Sequence, residues 1–361
     1  MSPNKRFSRL AALLACSAIF SVAHAEDAAP AKLPNVVILA TGGTIAGTGA
    51  STTTTIGYTA AKVGVDKMIE SVPELKKAAN VRGEQVVQIA SESMTNDVWL
   101  KLAKRVNELL AQKDVDGVVI THGTDTIEET AYFLDLTVKS KKPVVIVGSM
   151  RPSTAISADG PINLYNAVLL AGSKDAVGKG VLVTLNDQIN AGRDVTKTNT
   201  STADTFKTPE LGFLGYMQDN KPHFYRLPVR KHTAETEFDI SKLDKLPQVD
   251  IVYGYANMNR VALDADVAAG AKGIVQAGVG DGSMAAQMLP AFREARQKGV
   301  IVVRSSRVGS GIVARNGEVN DDKEDFVVSD TLNAQKARIL LMLAMTKTND
   351  TKKIQQMFYT Y

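Results

Sequence analysis

Two short segments rich in glycine and threonine each follow an apolar, β-branched run of the sequence. Thr41–Thr44 comes after Asn35–Ala40, and His122–Asp125 comes after Gly117–Thr121. Because ligands of a parallel sheet bind beyond the carboxyl ends of its strands, we expect the two segments to face one cleft. A threonine hydroxyl there can act as a nucleophile, and backbone N–H groups beside the glycines can hold an oxyanion. A helix starting near Asp125 would favour a substrate carboxylate.

Simpler interpretations of these segments stay open on the pattern alone. A strand followed by Gly-Gly-Thr can be a tight turn or a nucleotide-binding loop, but Gly42 is followed by neither G-x-G-x-x-G spacing nor a P-loop lysine. A lone His122 is more often structural than catalytic, and Trp99 is most simply a core residue. No metal site and no cofactor are expected, since metal-ligand spacing is missing among the histidines, His24, His122, His223 and His232.

The elements that must position these segments alternate between strands and helices. Apolar runs predict strands at Asn35–Ala40, Gly117–Thr121, Pro143–Val147, Gly180–Thr184, Ile251–Tyr253, Gly273–Val275 and Val300–Val303. Apolar residues at helical spacing predict helices over Val98–Leu110, from Ile127 to Val138, and over Ala334–Met345. The alternation indicates an α/β fold, with a larger N-terminal domain whose parallel-rich sheet is covered by helices and a smaller C-terminal α/β domain.

Two local features refine this prediction. Asp125 or Thr126 can cap the helix that begins at Ile127, with Glu128 or Glu129 at capping-box spacing. Residues 45–64 are rich in glycine and threonine without apolar periodicity, which is typical of a long mobile loop.

Length and composition fit a soluble protein of two domains. The chain has 361 residues, of which 44% are hydrophobic and 22% charged. A polar stretch with scattered prolines separates the two αβ patterns. We therefore predict a catalytic domain over 26–227, a linker over 228–248 and a C-terminal domain over 249–361.

The first 25 residues have the pattern of a secretory signal peptide. Basic residues precede a short apolar run, Leu10–Val22, which is too short to span a membrane, and Ala23–Ala25 supplies an A-x-A cleavage site. A lipoprotein signal with Cys16 as the lipidated residue is the alternative. Cleavage would leave a nearly neutral chain without cysteine, which predicts a periplasmic protein with no nucleic-acid partner and no disulfide.

Residues 38–47 and 119–126 resemble the two signatures of the bacterial type II L-asparaginase family. The resemblance covers essentially the whole mature chain and includes residues 192–200, 303–307 and 354–358. It implies an amidohydrolase that uses a threonine nucleophile and an acyl-enzyme to deamidate a free amino acid, and it implies a homotetramer.

The resemblance also implies roles for individual residues. Thr44 is similar to the primary nucleophile, and Tyr58 to the residue that closes over it. Thr124, Asp125 and Lys197 resemble a second cluster, in which the lysine lowers the pKa of a nearby hydroxyl or water. Without the resemblance, Lys197 would be a solvated charge and Tyr58 an ordinary loop anchor.

Four further positions bear on the substrate. Ser91 and Glu92 match the pair that holds it, and Glu318 matches an acid supplied by a neighbouring subunit. Glu92 stands where asparagine-selective members usually have Gln, and Ser283 where they usually have Asn. Both changes resemble the glutaminase-asparaginases, because Glu92 can pair with an α-ammonium and the smaller Ser283 leaves room for a methylene. Neutral variation at both positions is the alternative.

A periplasmic amino-acid-binding protein is the competing function. It would also be exported and two-domain, with Asp125 and Ser91 as ligands of the amino acid. That hypothesis leaves Thr44, Tyr58 and Lys197 without a role, so the enzyme is favoured.

Overall fold

The structure is a computed structural model that describes residues 32–361. Its first ten strands, β1 to β10, lie before residue 225. They are β1 (Asn35–Gly42), β2 (Asn80–Ile89), β3 (Gly117–Thr121), β4 (Val144–Val147), β5 (Val181–Leu185), β6 (Gln188–Ala191), β7 (Thr196–Lys197), β8 (Phe206–Lys207), β9 (Gly215–Gln218) and β10 (Lys221–Phe224). The predicted signal peptide and Cys16 lie outside the described residues.

Eight of these strands form one mixed sheet in the order β10-β9-β6-β5-β4-β3-β1-β2. The strands from β5 to β2 pair in parallel, whereas β6, β9 and β10 are joined by antiparallel pairing. Strands β7 and β8 form a separate antiparallel ribbon. The predicted parallel-rich sheet is thus confirmed, and its antiparallel extension was not anticipated.

A second, smaller sheet follows in the chain. Its parallel strands are β11 (Val249–Tyr253), β12 (Gly273–Gly278), β13 (Ile301–Ser306) and β14 (Val327–Val328). Strand β13 extends three residues beyond the predicted end at Val303, into a polar sequence. The smaller αβ layer of the predicted fold class is therefore confirmed.

Helices cover both faces of the larger sheet. The α-helices of residues 32–361 are α1 (Val65–Glu70), α2 (Leu75–Ala78), α3 (Asn96–Leu110), α4 (Ile127–Thr137), α5 (Gly160–Gly172), α6 (Val261–Ala268), α7 (Leu289–Gln297), α8 (Asp321–Glu324), α9 (Ala334–Met345) and α10 (Thr351–Thr360). Alternate residues of β1 enter different cores: Val37 and Leu39 pack with α3, α4 and α9, whereas Val36 and Ile38 pack with α1, α2 and α5. Burial on both faces explains the continuous apolar runs of the parallel strands.

The capping prediction for α4 is wrong in its detail. Thr126 is the residue before the helix, but its side chain makes no capping hydrogen bond. Its hydroxyl instead donates to the carbonyl oxygen of Ser91 at 2.8 Å. The side chain thus joins two segments of the chain, which a capping box would not do.

The two segments expected to be irregular carry little regular structure. Between Gly47 and Gly64 the described chain has an isolated bridge, Thr48 with Thr59, and no helix or strand. Residues 225–248 contain a single short 3-10 turn, yet Phe238 and Ile240 are buried in the main core. The mobility of the first segment and the domain boundaries around the second stay predictions.

Candidate active site

The two glycine-threonine segments lie against each other at the carboxyl ends of β1 and β3. Gly42 and Gly43 have φ of 113° and 81°, a region that L side chains rarely adopt. A Cβ on Gly43 would lie 2.3 Å from the Cα of Gly123, so only glycine permits this approach. The Thr41 hydroxyl also donates to the Thr121 carbonyl oxygen at 2.8 Å. The two segments are therefore in direct backbone contact, as expected for segments that follow neighbouring parallel strands.

Thr44 is buried and forms a close pair with Tyr58. The Thr44 Oγ1 and the Tyr58 hydroxyl are 2.7 Å apart, and either can be the donor. Thr44 opens a short 3-10 turn directly after β1, and Tyr58 reaches it from the irregular segment. The bridge between Thr48 and Thr59 closes that segment beside Tyr58. The two residues that sequence analysis linked are in direct contact.

Lys197 joins the second threonine to its neighbouring carboxylate. Its Nζ donates to Thr124 Oγ1 at 2.9 Å and to Asp125 Oδ1 at 2.7 Å. The lysine side chain is 16% exposed and the aspartate 61%. Lys197 is held on the β7–β8 ribbon, where it pairs with Phe206. The three predicted residues form one hydroxyl–ammonium–carboxylate cluster whose carboxylate faces solvent.

Ser91 lies beside this cluster at the end of a third strand. It is buried just after β2, and its hydroxyl accepts a hydrogen bond from the Asp125 N–H at 3.2 Å. A Cβ on Gly123 would come within 2.5 Å of the Ser91 Oγ. Glu92 is exposed next to it. Because β1 lies between β2 and β3, Ser91, Thr44 and Thr124 are brought to one edge of the sheet.

Ser283 and Glu318 belong to the smaller sheet. Ser283 follows β12 and forms an isolated bridge with Val279, and Glu318 is exposed in the loop before α8. Within residues 32–361, no hydrogen bond or ion pair joins Ser283 or Glu318 to Thr44 or Thr124. In the described part of the chain, the two threonines and these two residues are thus not joined by polar side-chain contacts.

Backbone donors are available beside both threonines. In the described part of the chain, the N–H groups of Thr44 and Thr124 donate no backbone hydrogen bond. Unpaired N–H groups at a strand end are the usual components of an oxyanion-binding site. Residues 32–361 contain no group of three or more His, Cys, Asp or Glu side chains that could hold a metal ion. The site itself brings together hydroxyl, ammonium, carboxylate and backbone amide groups.

A buried series of hydrogen bonds behind Gly123 was not predicted from the sequence. The Gly123 carbonyl oxygen can only accept, so the His122 Nδ1 at 2.7 Å carries the proton. The His122 Nε2 then accepts from the Thr130 hydroxyl at 2.8 Å, and that hydroxyl accepts from the Trp99 Nε1 at 2.8 Å. His122 is structural, as the simpler interpretation has it, and its contact fixes the backbone that carries Thr124. Trp99, His122 and Thr130 are so far apart in the sequence that no motif indicates their contact.

Burial makes His122 a determinant of stability in acid. It is fully buried, which lowers its pKa to about 4. Because the unfolded state binds the proton more readily, His122 adds stability above its unfolded pKa of about 6.5, and this contribution is lost as the pH falls from 6.5 to 4. The free energy of unfolding should therefore decrease by up to about 3 kcal/mol more in the wild type than in His122→Gln over that range.

Urea denaturation at several pH values between 7 and 4.5 measures this difference. Glu129 and Asp135, whose pKa values burial raises to about 7, favour the folded state at low pH instead. Both are present in wild type and variant, so their effect cancels in the comparison. Parallel pH profiles of the two proteins would show that His122 makes no such contribution.

None of the helices in residues 32–361 is both long enough and apolar enough to cross a bilayer.

Two family descriptions match this chain, one over the part that holds the larger sheet and one over the part that holds the smaller sheet. The description "Asparaginase, N-terminal" matches residues 35–230, and "Glutaminase/Asparaginase C-terminal domain" matches residues 248–358. A protein of Pseudomonas fluorescens biotype A named glutaminase-asparaginase is 57% identical over 331 residues, which cover 91% of each chain. A protein of Haemophilus influenzae named probable L-asparaginase periplasmic is 53% identical, over 94% of this chain and 95% of its own.

A solved structure shows the same architecture. The crystal structure of a probable cytoplasmic L-asparaginase from Campylobacter jejuni has a TM-score of 0.89 and 51% sequence identity, over 91% of this chain and all of that chain. The family predicted from the two glycine-threonine signatures is confirmed, and with it the enzyme class, an amidohydrolase. With both family descriptions covering most of its length, the chain belongs to the asparaginase family.

Proposed function

We propose that this protein hydrolyses the side-chain amide of free L-glutamine and L-asparagine to the acid and ammonia, with Thr44 as nucleophile. The observation that carries the proposal is the contact of Gly43 with Gly123, which brings two hydroxyl clusters to one sheet edge. The relatives' names, which include both glutaminase and asparaginase, support the same activity.

The first step is attack on the amide. The Thr44 Oγ forms a bond to the amide carbon, and its proton passes through the Tyr58 hydroxyl, 2.7 Å away, to the departing nitrogen. The carbon–nitrogen bond breaks, ammonia leaves, and an ester of Thr44 remains. The N–H groups of Thr44 and Thr124 stabilise the oxyanion that forms on the carbonyl oxygen.

The second cluster serves the water step. Lys197 holds the Thr124 hydroxyl at 2.9 Å, and its ammonium favours the deprotonated form of that hydroxyl or of a water bound to it. The activated water attacks the ester carbon, and the bond between that carbon and the Thr44 oxygen breaks. The acid is released, and a proton from the water restores the Thr44 hydroxyl. Asp125 orients Lys197 and, being exposed, can also bind the substrate ammonium.

Substrate recognition is assigned to Ser91, Glu92, Ser283 and Glu318. Ser91 is already tied to Asp125, and Glu92 adds a negative charge beside it for the α-ammonium. Because no hydrogen bond or ion pair within residues 32–361 joins Ser283 or Glu318 to this site in their own chain, we assign both to the site of a neighbouring subunit in a homotetramer. Exposed apolar side chains around the carboxyl edge of the smaller sheet support such a contact: Tyr253, Val279, Val308 and Ile312.

Glutamine turnover should rival asparagine turnover. One methylene is worth only about 1–3 kcal/mol of discrimination in a pocket, and Ser283 is smaller than the Asn of asparagine-selective members. We expect kcat/KM for the two substrates to differ by less than about 100-fold. Ammonia release measured with each substrate over a range of concentrations gives the ratio. The Ser283→Asn variant should shift it toward asparagine, and a much larger wild-type preference for asparagine would contradict the assignment.

The same assay separates the enzyme from an amino-acid-binding protein. A binding protein would hold stoichiometric amino acid and release no ammonia. The relatives' names give that function no support.

We further propose that the protein is periplasmic and that residues 1–25 are its signal peptide. The basic start, apolar run and A-x-A site support this, as does the name of the Haemophilus relative, although the Campylobacter chain is named cytoplasmic. A mature N-terminus at Glu26, read by mass spectrometry of the exported protein, is the test.

A further inference from the structure

Arg304 is a fully buried arginine whose side chain donates hydrogen bonds to two loops and to the first residue of α8, at one end of the smaller sheet. It lies on β13, with 0% of its side chain exposed. Its Nε and Nη2 donate to the two carboxylate oxygens of Asp321 at 2.6 and 2.7 Å. Nη2 also donates to the Ala314 carbonyl oxygen at 3.0 Å, and Nη1 to those of Gly282 and Asp281 at 3.1 and 3.2 Å. One guanidinium thus holds three separate parts of the chain.

These parts flank the two residues assigned to a neighbour's site. Asp281 and Gly282 directly precede Ser283, while Ala314 and Asp321 stand on either side of Glu318. The carbonyl contacts therefore fix the loop of Ser283 and the loop of Glu318 to the same planar group. Because a guanidinium is rigid, the distance between its acceptors is set by its own geometry.

Direct contacts between the loops reinforce this link. The Asp281 Oδ1 accepts a hydrogen bond from the Ala314 N–H at 2.6 Å. A Cβ on Gly317 would lie 2.8 Å from the Asp281 Oδ2, so the residue before Glu318 packs against the loop of Ser283. The Ser283 and Glu318 loops form a single unit with Arg304 at its base.

A buried ion pair is not needed to stabilise a sheet of this kind. Apolar side chains of similar volume often stabilise a core as well as a buried arginine–aspartate pair or better. What the pair supplies is directional hydrogen bonding to carbonyl groups of irregular loops. The burial of Arg304 on β13, where the strand passes from apolar to polar residues, indicates a demand for loop geometry.

We propose that Arg304 is a positioning residue that presents Ser283 and Glu318 as one unit to the active site of a partner copy of the chain. The inference rests on the proposed function, in which that site is shared between subunits. Arg304 touches no substrate, so its effect is exerted on substrate binding in the neighbour and not on the chemistry of Thr44 in its own chain.

The first test is kinetic. Arg304→Lys keeps the charge but cannot make the forked set of hydrogen bonds. It should raise KM for glutamine at least tenfold while kcat changes less than threefold, and Asp321→Asn, which removes the carboxylate from the other side of the pair, should do the same. Arg293→Lys is the matched control, because Arg293 forms a more exposed pair with Glu324 in the same part of the fold. Unchanged KM in both variants, or a loss of kcat alone, would overturn the proposal.

The decisive test is complementation between subunits. Chains with Thr44→Ala are co-expressed with Arg304→Lys chains under different affinity tags, and hybrids are isolated. A hybrid contains sites that combine an intact Thr44 with an intact Arg304 unit from the other chain, so a population of sites with wild-type KM should appear. A purely structural role of Arg304 within its own chain would leave KM of every active site raised, and that result refutes the inference.

A second hybrid separates this inference from the proposal beneath it. Thr44→Ala chains paired with Glu318→Ala chains should regain wild-type sites if the site is shared. When this pair recovers and the Arg304 pair does not, the role of Arg304 is wrong and the shared site stands. When neither recovers, the shared site is wrong and the inference fails with it.

Discussion

Thr44→Ala is expected to lower kcat/KM for glutamine and for asparagine by at least about 10³-fold, without loss of the fold. The variant removes the one hydroxyl that contacts Tyr58 at the end of β1. Backbone donors and bound substrate remain, so a small residual rate above that in water should persist. Ammonia release gives the rate, and thermal unfolding shows whether the fold is intact.

Two variants control for indirect effects of this change. Thr44→Ser keeps a hydroxyl and should retain measurable turnover. Thr55→Ala removes an exposed threonine from the same irregular segment and should leave kcat/KM within about twofold of wild type. Equal losses in Thr44→Ala and Thr55→Ala would indicate damage to the segment and not to the nucleophile.

Covalent trapping identifies the attacking residue directly. A reactive diazoketone analogue of glutamine should give a single adduct, which peptide mass spectrometry maps to Thr44. Thr124 is the internal alternative, since it too is a buried hydroxyl at the same sheet edge. An adduct on Thr124 that persists in Thr44→Ala would reverse the assignment of the two threonines.

The sequence predicted the longer parallel strands that are buried on both faces, whereas it missed the parallel strand β2, whose residues are exposed or half-buried. Burial on both faces leaves continuous apolar runs, as in β3, where every residue from Gly117 to Thr121 is buried. Strand β10 was missed because it lies at the sheet edge, has four residues and alternates exposed with half-buried positions. The carboxyl ends of β1 and β3 were predictable for the same reason as the strands themselves.

Long-range compensation could not be predicted from the sequence. The strand predicted over Val300–Val303 stops where the apolar run stops, one residue before Arg304. Arg304 is buried because Asp321, seventeen residues later, neutralises it. Likewise, Thr126 was expected to cap its own helix and instead bonds to Ser91, 35 residues earlier. In each case a polar side chain is satisfied by a partner whose position depends on the completed fold.

Lys197→Met is expected to reduce kcat/KM by about 10²–10⁴-fold, the usual contribution of proton-transfer assistance. Methionine matches the length of lysine but removes the charge that lies 2.9 Å from Thr124 and 2.7 Å from Asp125. Without that ammonium, a smaller fraction of the Thr124 hydroxyl, or of the water bound to it, is deprotonated at neutral pH. The variant's rate should therefore keep rising with pH beyond the point at which the wild-type rate levels off.

The β7–β8 ribbon supplies the control for this variant. Lys207 lies on β8, where it pairs in register with Thr196, the residue before Lys197, and its own charge partner is Asp204. Lys207→Met removes an equal charge from the same ribbon and should leave both the rate and its pH dependence unchanged. If Lys207→Met lost as much activity as Lys197→Met, the ribbon's stability would be the cause. A hundredfold or greater difference between them would instead place the effect in the contact of Lys197 with Thr124, because the two lysines otherwise share their backbone support.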